Sequence, residues 1–197
     1  DGNLAEFMDP DVLTNISSEL RQSYEDDKGS RQQWEEAYTK GLDLLGLNYS
    51  ERSQPFQGAS GVTHPLLAES VTQFQAQAYK ELLPASGPVR AQVIGMATKE
   101  KEDQAQRVAE FMNYQMMHVM EEYDPELDQM LFYLPLSGST FKKIYYDSNL
   151  GRAVSKFVPS EDLVVPYTAT NLEECERVTH VLKRTENDIK KMQVTGF

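Results

Sequence analysis

The chain has one cysteine in 197 residues, Cys175. A lone thiol cannot form an intramolecular disulfide, which excludes the framework of a small secreted domain and suits a reducing compartment. Its flanks, Glu173-Glu174 and Glu176, disfavour a thiolate, so Cys175 reads as unreactive. Histidine is almost as scarce. His64, His118 and His180 lie far apart and form no Cys/His or His-x-x-x-His ligand spacing. Basic residues are also few: 19 Lys and Arg against 31 Asp and Glu give a formal charge of −12. Wrapping nucleic acid requires Lys and Arg to displace counterions, so this balance excludes a general binder of phosphate backbones. The same charge serves solubility, its usual role, and also fits a surface past which DNA slides without sticking. No apolar run approaches the roughly 18–20 residues of a membrane-spanning helix, and no basic n-region precedes an apolar stretch near the N-terminus.

What is present is an ordinary globular composition, 40% hydrophobic and 25% charged. Asp9-Pro10 starts a first helix, an acidic cap followed by proline at the first helical position. Val12, Ile16, Leu20 and Tyr24 then make one stripe. Glu25 to Gly29 is expected to break that helix, and Ser30 to cap a second one with Trp34, Tyr38, Leu42 and Leu45 on one face and Gly46 as its stop. Residues 47–63, rich in Ser, Gln, Gly and Pro, read as a linker.

A helix is expected over 64–83, with Leu67, Val71, Phe74, Ala78 and Leu82 in line, stopped by Pro84 to Pro88. Val89 to Ile94 is a short β-like run. Thr98 caps the longest predicted helix, Lys99 to about Tyr123, whose stripe includes Val108, Phe111, Met112, Met116, Val119 and Met120. Asp124-Pro125 opens another helix holding Leu127, Met130, Leu131 and Leu134.

From residue 140 the pattern changes to period two or short apolar runs. Residues 140–158 read as a β-hairpin turning at Asp147–Arg152, Leu163 to Pro166 as an edge strand, Arg177 to Thr185 as a further strand, and Glu186 to Met192 as a short helix. Helices first and strands later give an α+β class, a helix-rich N-terminal two-thirds followed by a small antiparallel sheet. The expected division is an acidic helical arm, 1–53, and an α+β core, 54–197, that continues beyond the chain.

Candidate chemistry is sparse. The loop Gly58 to Thr63 lacks the Gly-Lys-Ser/Thr ending of a phosphate cradle. Ser137-Gly138-Ser139 lacks the glycine spacing of a nucleophile elbow. The acids Glu121, Glu122, Asp124, Glu126 and Asp128 surround Pro125, and a hard cation would need several of their oxygens to converge. Acids past Pro125 equally suit the positive end of a helix. No pattern asks for a cofactor, a catalytic residue or a metal. Met112, Met116 and Met120, with Trp34 and Tyr38, are the candidates for packing against another subunit, since methionine stripes adapt to a partner.

Four strings carry a family likeness: Val62-Thr63-His64-Pro65-Leu66-Leu67-Ala68-Glu69; Gln73-Phe74-Gln75-Ala76-Gln77-Ala78-Tyr79-Lys80-Glu81-Leu82-Leu83-Pro84; Tyr133-Leu134-Pro135-Leu136-Ser137-Gly138-Ser139; and Phe157-Val158-Pro159-Ser160-Glu161-Asp162-Leu163-Val164-Val165-Pro166. They resemble the portal proteins of tailed bacteriophages, of the short-tailed P22-like type, over about 54–197. The resemblance implies a structural, non-enzymatic subunit of a homo-oligomeric ring, usually a dodecamer, at one capsid vertex. Such a head-to-tail connector docks terminase, capsid or scaffold proteins and tail proteins, and passes double-stranded DNA during packaging and ejection. It also implies a place in the virion, in the host cytoplasm during assembly or encoded by a prophage, and that this chain is the N-terminal part of the wing region. The alternative is a soluble acidic protein-interaction module without catalytic activity.

Overall fold

The computed structural model describes residues 7–46, 56–59, 64–148 and 150–194. The helices are α1 (Pro10–Ser30), α2 (Gln32–Leu45), α3 (Leu66–Leu82), α4 (Lys99–Tyr114), α5 (Tyr123–Ser137) and α6 (Glu186–Val194). The strands are β1 (Phe141–Asp147), β2 (Arg152–Val158), β3 (Leu163–Val164) and β4 (Thr179–His180). They form two antiparallel pairs, β1 with β2 and β3 with β4. The fold is α+β and rich in helix. The described residues divide into two compact units: those of 1–36 together with 161–197, and those of 37–160. This differs from the division expected at 53, because the N-terminal helix belongs with the last part of the chain.

In the first unit, Asp9 caps α1 by accepting from the Asp11 N–H at 2.9 Å, with Pro10 in the first turn. The helix does not break at Glu25–Gly29. It runs through to Ser30, where the Arg31 N–H bonds back to the Gly29 and Lys28 carbonyls. Ser30 does not cap α2; its hydroxyl donates to the Asp27 carbonyl at 2.6 Å. β3 stops after two residues because Pro166 supplies no ladder donor and the chain turns there, Ala169 N–H to Pro166 O. The strand expected over 177–185 is therefore only Thr179–His180, extended by one bond from Val181 N–H to Asp162 O. Thr185 and Asp188 cap each other's backbone N–H at 3.3 Å, a Thr-x-x-Asp box that starts α6.

The second unit is built around α5. One of its sides meets α3 and another meets β2. Val71 from α3, Leu131 from α5 and Val154 from β2 are each 1% exposed. Full burial of such side chains stabilises by about 1.5–3 kcal/mol each. Tyr133 stacks on Phe157 with centroids 5.8 Å apart. α5 ends where Gly138, at φ 80°, adopts a left-handed cap and donates to Leu134 O. The Ser137 and Ser160 hydroxyls both donate to the Ser139 carbonyl, closing the link from α5 into the hairpin.

Two expectations in this unit change. The helix from Lys99 is not continuous to Tyr123: it passes into a π-type turn, Gln115–Val119, and stops at Met120 before α5 begins. Residues 89–94, expected as β-like, pair with no strand among the described residues. Most of the predicted linker over 47–63 lies outside the described residues; Phe56 to Ala59 form a turn closed by Ala59 N–H on Phe56 O.

Candidate subunit-packing surface

Two polar devices fix the first unit. Arg31 is 8% exposed. Its guanidinium donates to Leu163 O at 2.9 Å and Glu161 O at 2.7 Å, meets Glu35 at 3.1 Å and lies 5.1 Å from the centre of the Trp34 ring. Asp27, 6% exposed, receives a two-pronged contact from Arg177, with Nε and Nη2 each at 3.1 Å. The hydrogen bonds and charge of Asp27 hold the Arg177 guanidinium above its ordinary pKa against the opposing effect of desolvation. A planar fork on a carboxylate combines charge with directionality, which is why arginine serves here. These groups join α1 to the β3–β4 region.

The acid cluster around Pro125 is structural in the second unit. Glu122 pairs with Arg152 at 2.7 Å and accepts from the Ser155 N–H at 3.2 Å. Glu126 accepts from the Phe157 N–H at 2.7 Å. Asp124 accepts from the Tyr79 hydroxyl, and Asp128 from Gln75 Nε2 at 2.7 Å. The carboxylates therefore diverge, two toward β2 and two toward α3. Among the described residues no three His, Cys, Asp or Glu side chains gather as a metal site. Burial pushes the Glu122 carboxyl up, but the bonds it accepts from backbone N–H groups and Arg152 outweigh burial and hold it below the ordinary carboxylate range.

Ser155 and Phe157 spend their N–H groups on glutamates. In an antiparallel pair, residues whose N–H points away from the partner strand alternate with residues bonded across it. Glu122 and Glu126 thus occupy the outer edge of β2. Lys142 Nζ lies 3.7 Å from the centre of the Tyr123 ring, and burial pushes its pKa down despite Glu126 and Glu122.

Of the five candidate packing residues, Trp34 lies in the first unit and Tyr38, Met112, Met116 and Met120 lie in the second. Tyr38 is buried and Trp34 half-buried beneath Arg31. Met112 is 45% exposed on α4, Met116 is half-buried in the π-type turn, and half-buried Met120 ends it. The neighbours of Met112, Val108 and Phe111, are 47% and 62% exposed. The α4 stripe thus leaves an open apolar surface at Val108, Phe111 and Met112. Sequence reasoning missed two further features: the outer side of β1, where Ile144 and Tyr146 are 71% and 69% exposed, and the glutamates that cover β2. Nothing local encodes either: Phe141-Lys142-Lys143-Ile144-Tyr145-Tyr146 has no polar–apolar alternation.

His64 is exposed, His118 lies 5.7 Å from the Tyr114 ring, and His180 sits in β4. Cys175 is half-buried with its Sγ 2.8 Å from the Arg177 carbonyl. A shallow concavity of about 490 Å³ beside α3 is lined by Phe74, Gln77, Ala78, Lys80 and Glu81, with no nucleophile and base side by side. Among the described residues no helix is long and apolar enough to cross a membrane. No protein-family model matches the chain, and no curated protein matches it significantly.

Proposed function

We propose that the chain is a structural, non-catalytic part of a bacteriophage portal ring at one capsid vertex, the N-terminal part of its wing region. The observation that carries this reading is the set of four strings that resemble P22-like portal proteins. Residues in the last two of those strings do packing work, which is what a structural subunit requires. Ser137, Val158, Ser160 and Val164 are buried, and Ser137, Gly138 and Ser160 form the closure between α5 and the hairpin. Two further properties suit the role. The net charge of −12 keeps passing DNA from sticking. The open apolar surfaces on α4 and β1 suit burial against neighbouring subunits. On this reading the partners are further copies of the chain, with terminase, capsid or scaffold and tail proteins at the rims, and the place is the virion.

The open α4 face also favours a second reading, an acidic interaction module that binds one partner through Val108, Phe111 and Met112. Native mass spectrometry of the product of the complete reading frame separates the two. The portal reading expects one large closed species, a fixed multiple of the subunit near twelve. A monomer that stays monomeric at every concentration rejects it and leaves the interaction module.

A further inference from the structure

β1 has an unused edge. Because Ser155 and Phe157 direct their N–H groups away from β1, their Cα partners Ile144 and Lys142 direct their own N–H and C=O groups away from β2. Tyr146 follows with the same parity. These three residues therefore present backbone donors and acceptors along the outer side of β1, which pairs only with β2 among the described residues. An exposed edge of this kind is a template for another strand, and proteins usually blunt it with a charge such as lysine. Here the Lys142 ammonium is drawn away over Tyr123, while Ile144 and Tyr146 stay largely exposed.

The same unit carries a matching segment. Val89 is held by Asn113, whose Oδ1 accepts from the Val89 N–H at 2.9 Å and whose Nδ2 donates to the Val89 carbonyl at 3.1 Å. The Asn113 amide occupies the space in front of Gly87, where a Cβ would collide with it. Beyond this anchor, among the described residues, no backbone group from Arg90 to Gly95 makes a hydrogen bond. The segment is rich in strand formers, and Ile94 is 95% exposed. If it continues as a strand, Arg90, Gln92 and Ile94 point their backbone groups away from Asn113. That leaves three residues to face Lys142, Ile144 and Tyr146.

We infer that residues 89–94 of one copy add as a strand to the β1 edge of the next copy, giving a head-to-tail contact between subunits. The inference deepens the ring-subunit reading and rests on it. The occupant is a second copy because, among the described residues, the same unit carries both an edge without a strand partner, Lys142 to Tyr146, and a segment without one, Val89 to Ile94. An interface whose halves lie on different patches propagates from copy to copy, and closes into a ring when the rotation permits.

Two proline variants test it. In Ile144→Pro only the outward N–H of β1 is lost, a substitution an edge position tolerates. In Gln92→Pro the corresponding donor of the segment is lost. Sedimentation velocity is measured for the chain, each variant and their equimolar mixture, with circular dichroism to confirm folding. The expected result is concentration-dependent association of the unaltered chain, roughly tenfold or more weaker in either variant alone. The mixture should form one-to-one pairs and nothing larger, since it retains one good edge and one good segment. Association of both variants at the strength of the unaltered chain overturns the inference and leaves the ring reading standing on another surface. An unaltered chain that remains monomeric to millimolar concentration also overturns it, whether or not 89–94 folds onto its own β1; the ring reading then rests on the mass of the complete product.

Discussion

The two units of the chain solve the same problem with different materials. In the first, the buried side chains among the described residues are Asp27, Arg31 and Val164, two of the three charged. In the second they include Val71, Leu127, Leu131, Val154 and Val158, with serines at the joints. The first is held by directed bonds from two arginines to one carboxylate and two carbonyls. The second is held by hydrocarbon, with glutamates covering the edge of one strand. Hydrocarbon packing degrades gradually when trimmed. A buried charge left without its partner does not, because its desolvation is no longer compensated. Each unit should therefore fail in its own way.

The largest effect is expected from Leu131→Ala. It removes a side chain that is 1% exposed at the centre of the second unit, at a cost of about 2–5 kcal/mol. Chemical denaturation should show the loss, and amide exchange should rise across α3, α5 and β2 together. Next is Arg31→Met, which keeps the side-chain volume but leaves the Glu161 and Leu163 carbonyls without their donor. A cost of about 2–3 kcal/mol is expected, with faster exchange at the Val181 N–H that bonds Asp162 O. Equal loosening of β2 in this variant would erase the contrast between the units.

Gly87→Ala should cost about 1–3 kcal/mol, since Gly87 sits at φ 91° and a Cβ meets the Asn113 amide. Its signature is a freed Val89 N–H, read by exchange. The smallest effect is at Glu122. Its folded pKa lies below the ordinary value of 4.5. Its contribution is therefore complete above that value and is lost as pH falls through the lower, folded one. Glu122→Gln should cost about 1 kcal/mol at neutral pH and flatten the acid side of the stability profile. A profile that stays as steep as in the unaltered chain would assign the acid sensitivity elsewhere.

Elements defined by neighbours in sequence were legible before any coordinates. Asp9-Pro10 started α1, the Val71 stripe marked α3, and the strand formers on either side of Asp147–Arg152 marked the hairpin. Features defined by distant partners were not. Arg31 sets the break between α1 and α2 by reaching carbonyls about 130 residues away, so the nearer acidic run with Gly29 drew the boundary too early. The Glu122 and Glu126 carboxylates look like helix-end acids until β2 is placed beside them. The α4 stripe has the period of a core helix, and period alone does not say whether its cover comes from the same chain. The same holds for 89–94, whose residues favour a strand although a strand needs a partner.

Negative-stain electron microscopy of the product of the complete reading frame tests the central claim most directly. The account predicts rings of uniform diameter with an open central channel wide enough for duplex DNA. Compact single particles without a channel, at concentrations where a ring should be saturated, would contradict it.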